Sequence, residues 1–238
     1  MSDYYSKSIT QTKDKLAMLN IIANLTDKGL GISILGSKEQ LKLLHDSIVK
    51  IVNGDKESHD PDRTFLLELV TALYHAIETP QIIDGKAQYK MNVVLPVLLI
   101  QIHILNKYIK QFQGEDNTCI EISQDFIQMV LLAIADKSVS IKDFVNDWLA
   151  NKAPFSNQYI FPMAKHYCAQ YIAYHPDESR LDYLKEVMIQ IDESQFKHRA
   201  IQQSINEQAM MMNIDPQKMK FKEDDKIFEL LKEGKIDW

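Results

Sequence analysis

Between Met91 and Leu105 almost every residue is apolar, and only Asn92, Pro96, Gln101 and His103 interrupt the run. A helix with so little polar surface belongs inside a domain, surrounded by the rest of the chain. Pro96 fits a first helical turn, where its missing N–H is no loss, and the residues Tyr89 to Val94 before it are β-prone. The stretch from Gln88 to Phe112 therefore reads as a short strand running directly into a central helix. Every other segment then has to supply a layer that covers this helix.

The punctuation of the chain indicates what those layers are. Only 7 Gly and 7 Pro occur in 238 residues, and long helix-compatible runs separate them. The fold class expected is mainly α, a multi-helix globular domain over residues 1–215 with at most a small β-sheet from short strands near 30–35 and 88–94. A charged C-terminal docking segment, 216–238, follows it.

Taken in order, the spacing of Leu16, Leu19, Ile22 and Ala23 predicts an amphipathic helix from Ile9 to Asp27, stopped by Gly29. Gly29 to Gly36 is too brief for a helix and reads as extended. Its glycines match neither the dinucleotide nor the P-loop pattern. Ser37 with Gln40 forms a capping box for a helix through Leu41, Leu44, Ile48 and Val52 to Gly54. Past a polar loop, Asp60-Pro61 opens a helix with the stripe Leu66, Leu69, Leu73 and Ile77, ended by Thr79-Pro80, and Asp84-Gly85 makes the next turn. Downstream, Cys119 to Ile122 reads as extended, and Ser123 and Ser140 as caps of two helices, the second broken by Pro154. A tyrosine-rich helix spans about Gln158 to Tyr174 and closes at His175-Pro176. Asp177 or Ser179 opens another to Ile191, and Ser194 to Met212 forms a polar helix. Beyond Pro216 lies one short amphipathic helix with Ile227, Phe228, Leu230 and Leu231.

Composition narrows the partners. A net charge of −6 and a pI near 5.6 argue against a broad phosphate-binding surface, so no direct nucleic acid is expected and a basic protein is the better partner. Cys119 and Cys168 lack paired metal spacing, which points to a reducing, cytoplasmic setting and to no metal and no cofactor. The N-terminus lacks the apolar core of a signal peptide, and the Met91–Leu105 run is shorter than the roughly 20 residues a bilayer requires, so no membrane is expected. An oligomer is compatible with all of this.

Two groups of residues carry chemistry by type and spacing. Glu68, Thr71, His75 and Glu78 fall on the stripe opposite the apolar one, where a His and a Glu at i, i+3 can share a metal or a proton. His103, inside the central helix, is the further candidate catalytic group. The second group is apolar and aromatic: Tyr171 and Tyr174 on the tyrosine-rich helix, with Phe228, Leu231 and Trp238 in the C-terminal segment, are candidate partner-binding residues. A lone helix as short as the C-terminal one is marginal in water, so its order has to come from packing, and a partner's groove is the expected receptor. Cys168 and His166 are two apart on a helix and face apart, which excludes a thiol dyad from this pair.

The series GISILGSKEQLKLLHDSIVKIVNGD, LLELVTALYHAIE and YKMNVVLPVLLIQIHILNKYI resembles an uncharacterised family of small bacterial proteins, over roughly Gly29 to Ile109. In that family an extended Gly-flanked segment precedes a Leu-x-x-Leu-His/Tyr helix, and a later helix carries Arg-His-Ala. His75-Ala76 matches, whereas Tyr74 stands in the arginine's place, so any role of that arginine is lost here. The resemblance implies no activity.

The reading that follows is a non-catalytic bacterial interaction protein, such as a toxin-neutralising immunity protein or an accessory subunit of a defence complex. The alternative is a metal-assisted hydrolase with its site on the helices of His75 and His103, using Glu68 and Glu78.

Overall fold

The apolar run becomes the central helix, and the strand before it joins that helix without a loop. The computed structural model describes residues 19–54, 61–83, 86–114, 117–151, 159–174, 180–191, 195–236 and 238. In chain order its elements are β1 (Ile22–Leu25), β2 (Gly31–Gly36), α1 (Lys38–Gly54), α2 (Pro61–Glu78), β3 (Gln81–Ile83), β4 (Lys86–Val94), α3 (Leu95–Gln111), α4 (Thr118–Ala135), α5 (Val139–Asn151), α6 (Ile160–Ala173), α7 (Arg180–Gln190), α8 (Phe196–Met212), a 3-10 turn (Pro216–Lys218) and α9 (Lys222–Lys232). The fold is mainly α, with one small antiparallel sheet.

Helix α3 packs on α1, α2, α4, α5, α6 and α7 and on strands β2 and β4. Leu95, Leu98, Leu99, Ile100, Ile102 and Leu105 are wholly buried, as a helix apolar on most sides requires. Its first turn leaves backbone donors without helical partners. The Leu95 N–H is taken by the Leu30 carbonyl at 3.0 Å, and Pro96 has no N–H to satisfy. The one strongly polar group on its buried face, Gln101, donates through Nε2 to the Phe65 carbonyl of α2 at 3.3 Å. Asp62, at the start of α2, receives Lys107 of α3 at 2.9 Å, a second tie between these helices.

The sheet has the order β1-β2-β4-β3, antiparallel throughout. Residues 22–25, expected as the end of an amphipathic helix, are instead strand β1, with Ile22 opposite Leu35 and Leu25 opposite Ile32. The expected stripe fails because Ile21 is buried while Ile22 is 57% exposed, and because pairing with β2 satisfies an edge that a helix would leave open. Strand β3 was not foreseen; it extends β4 on its other side, with Ile82 opposite Ala87. The turn from β1 to β2 needs Gly29, whose φ is +67°. Gly31 has a different reason to be glycine. A Cβ there would lie 2.1 Å from the Val93 carbonyl oxygen and 2.9 Å from the Trp238 ring.

Three helix starts differ from expectation. Cys119–Ile122 is the first turn of α4, not an extended piece, because Cys119, Ile122 and Phe126 bury one face at helical spacing. Ser123 is thus inside α4 and fully buried, not its cap. The cap of α5 is Ser138, two residues before Ser140; its Oγ accepts from the Ile141 N–H at 3.3 Å. At α1, Ser37 does accept from the Gln40 N–H at 3.3 Å, but the Gln40 side chain accepts from the Asn20 N–H at 2.8 Å, so the box is half made. The expectations for Ile9–Met18, the 55–60 loop, Asp84-Gly85, Pro154, Gln158, His175-Pro176, Asp177, Ser179 and Ser194 lie outside the described residues.

Helix α4 is long and apolar enough, by length and composition, to cross a membrane; in this fold it packs on α1, α5 and β1. The C-terminal segment, expected in a partner's groove, is docked on its own body. Helix α9 lies on α6, Leu231 and Met219 are buried, and Ile227, Phe228, Ile236 and Trp238 rest against the core.

Candidate functional site

The acid and histidine candidates are not gathered in one place. Glu68, Thr71, His75 and Glu78 lie on the exposed face of α2, as the helical period dictates. Glu78 is 3.9 Å from Lys38, and the His75 ring stands beside Tyr74, itself about half exposed. His103 is on α3 against the Trp148 ring of α5, with centroids 5.4 Å apart, and burial holds its pKa below the ordinary histidine value. His75 and His103 share no hydrogen bond or ring contact among the described residues. Nor do those residues include a group of three or more His, Cys, Asp or Glu arranged to hold a metal.

The tyrosine-rich helix α6 is mostly structural. Tyr171, a partner-binding candidate, is wholly buried and donates its hydroxyl to the Gly29 carbonyl, so it has no surface to offer a partner. Tyr167 donates to the Gln190 carbonyl at 2.7 Å and Tyr159 to Asn206 Oδ1 at 3.0 Å. A buried tyrosine needs such an acceptor, and these three tie α6 to the β1–β2 turn, α7 and α8. Tyr174 does reach the surface, stacked on Tyr183 with centroids 4.2 Å apart. Burial pushes the Cys168 thiol far up, which leaves it protonated and inert.

The concave feature with chemistry lies where the C-terminal segment meets the body. A half-open cleft of about 510 Å³ is formed by Phe65 and Glu68 of α2, Val97 of α3, Phe161, Ala164 and Lys165 of α6, the link from Gln217 to Lys220, and Phe228 and Lys232 of α9. Its floor is apolar. Phe65, Ala164 and Met219 are buried, and Phe65 meets Phe161 edge-on with centroids 5.5 Å apart. Four lysines, Lys165, Lys218, Lys220 and Lys232, stand around it against one carboxylate, Glu68. Partial desolvation raises the Glu68 pKa.

Local sequence places these groups. From Lys218 to Lys222 lysines alternate with Met219 and Phe221 in a link too short for a helix, which turns the apolar side chains inward and the lysines out. Helix α9 is then fastened to α6 by two neighbouring pairs: Lys165 with Asp225, and His166 Nδ1 with Asp224 Oδ2 at 3.2 Å. The acids sit in the first turn of α9, where the helix dipole favours negative charge. Lys165, with Lys220 and Lys232 nearby, holds the Asp225 carboxyl below its ordinary pKa. The Lys165 ammonium also lies 5.6 Å from the centroid of the Phe228 ring.

Of the residues read from the sequence, Glu68 and Phe228 line this cleft, and Leu231 and Trp238 anchor the segment that forms one wall. Phe65, Phe161, Ala164 and the lysines were missed. The alternation around Met219 was the one legible signal; the rest come from separate helices and are joined only by the fold.

No curated protein and no solved structure matches the chain. The profile of one family matches residues 21–230, from the first strand into the last helix, and so includes the cleft residues other than Lys232. The chain belongs to that family, a domain of unknown function (DUF6904).

Proposed function

We propose that this is a non-catalytic interaction protein whose working surface is the cleft between α2, α6 and the C-terminal segment, and whose partner is another protein. The observation that carries the reading is the pairing of an aromatic floor, with Phe65 buried and Phe161 and Phe228 partly exposed, with a rim of lysines of which Lys218, Lys220 and Lys232 are exposed. Apolar floors supply binding energy, while a few convergent charged groups fix orientation, and a volume near 510 Å³ is of the size at which a ligand's side chains are enclosed. The roles read from the sequence, a cytoplasmic immunity protein or an accessory subunit in a bacterial defence complex, fall within this proposal.

A photo-crosslinking amino acid at Lys218, with Lys42 on the exposed face of α1 as control, tests it in the native host. The expected result is a defined protein, identified by mass spectrometry, joined at the first position and absent at the second. Equal capture at both positions, or none at Lys218, would remove the cleft from this role.

A further inference from the structure

The charge of the whole molecule and the charge of this cleft point to opposite partners. With a net charge of −6 the protein as a whole favours a basic partner. The cleft inverts that sign: its lining has four lysines and a single carboxylate, and Lys165 pairs with Asp225, on which Lys220 and Lys232 also act from farther off. Lys218, Lys220 and Lys232 are exposed around a floor containing Phe65, Phe161 and Phe228.

The chain itself shows what such a surface receives. The start of α9 reads Lys222-Glu223-Asp224-Asp225-Lys226-Ile227-Phe228, three acidic residues between lysines and then two apolar ones. Its two aspartates meet Lys165 and His166, and Phe228 settles beside the same lysine. Helix α9 is thus an acidic, aromatic segment bound in cis to one edge of α6. The adjoining cleft shares Lys165 and Phe228 with that contact and adds Lys218, Lys220, Phe65 and Phe161 around open space.

We infer that the cleft receives a short acidic segment of a partner protein, with one aromatic or leucine side chain on the Phe65–Phe161 floor and flanking carboxylates on Lys218, Lys220 and Lys232. This rests on the proposed interaction role and specifies the partner's chemistry. Exposed ammonium groups contribute mainly to encounter rate and register, and the apolar anchor to residence, so binding has to weaken with salt and also fail when the floor is filled.

The test is selection of random displayed peptides on the full chain, with counter-selection on Ala164→Phe, which fills the floor. The expected peptides carry several Asp or Glu around one aromatic residue or leucine. They lose about tenfold or more in affinity against Lys218→Glu/Lys220→Glu, and a similar factor between low and physiological salt. Circular dichroism melting checks that each variant is folded, and the exposed lysine pair keeps the test interpretable if Ala164→Phe fails to fold. Cleft-dependent peptides that are neutral or basic would overturn the inference. So would the absence of any cleft-dependent peptide, including the case in which 8-anilinonaphthalene-1-sulfonate binds there with the same variant dependence and the site belongs to small aromatic anions. Capture of a protein at Lys218 together with failure of the acidic peptides would refute this chemistry and leave the interaction role standing; failure of both removes both.

Discussion

The surroundings of α3 and the seam between α6 and α9 are closed by different means. Around the first turns of α3, contact is almost wholly apolar, with Gln101 the one strongly polar side chain turned into the core and tied to a backbone carbonyl, while Lys107 further along pairs with Asp62. At the seam, one apolar stripe is flanked by the Lys165–Asp225 ion pair and the His166–Asp224 hydrogen bond, and the closure is incomplete, leaving a cleft of about 510 Å³ with lysines around it. The nearly complete apolar closure of the first turns of α3 gives stability and leaves Val97 as their contribution to the cleft. The charged, incomplete closure gives less stability and leaves chemistry exposed. The difference is what supports the binding role proposed for the seam, and it predicts how each region responds to substitution.

The largest effect should come from the first region. Leu99→Ala, at a wholly buried position, is expected to cost about 2–5 kcal/mol in urea unfolding. A cost below about 1 kcal/mol would mean that α3 is not the enclosed helix described here. Gly31→Ala comes next and couples the two regions, because its Cβ would strike both the Val93 carbonyl and the ring of Trp238 at the end of the docked segment. Overpacking of this kind costs about 1–3 kcal/mol, and Trp238→Ala in the same chain should recover only the part due to the ring. Full recovery would show that the strand backbones yield more easily than their close approach implies.

A smaller effect sharpens the comparison through pH. Burial lowers the pKa of His103, and Lys110 and Lys107 nearby push the same way, against a hydrogen bond with the Leu149 backbone that raises it. The folded state therefore binds this proton less readily than the unfolded state. The stability linked to His103 is complete above the unfolded pKa of about 6.5 and is lost as pH falls from there toward the folded value. His103→Gln should flatten that part of the profile of unfolding free energy against pH. An unchanged slope would show that other groups set it.

The legibility of the two regions differs for the same physical reason that their closure differs. The run from Met91 to Leu105 with Pro96 at its start has one interpretation, because an all-apolar helix has to be central, and the strand and helix lie where the residues put them. Strand β1 was misread because Leu19, Ile22 and Ala23 fit a helical stripe, whereas the need of β2 for a second neighbour is not visible in residues 19–25 alone. The histidine candidates were chosen by residue type and by position on single helices, and the fold leaves them on separate surfaces. The cleft could not be assembled from periodicity, since Phe65, Phe161, Lys165, Lys220 and Phe228 come from four stretches of sequence. The segment 216–238 reads as needing a partner's groove, whereas its receptor is α6 of its own body, which no residue of the segment names.

The smallest expected effect separates fastening from recognition at the seam itself. Lys165 and Asp225 are each about one-third exposed, whereas Asp224, beside His166, is nearly buried. A pair exposed to this extent has its Coulomb attraction screened by water and salt and its side-chain entropy reduced, so a double-mutant cycle on Lys165→Met and Asp225→Asn should give a coupling below about 1 kcal/mol. The corresponding cycle on His166→Gln and Asp224→Asn should give a larger coupling, because removing His166 leaves a buried carboxylate short of one partner. Both couplings should fall with added salt, the first nearly to zero. If the exposed pair proved the stronger and resisted salt, Lys165 would be committed to holding α9 in place. The lysines free to meet a partner would then be Lys218, Lys220 and Lys232, and Lys165→Met would leave peptide binding unchanged while lowering stability.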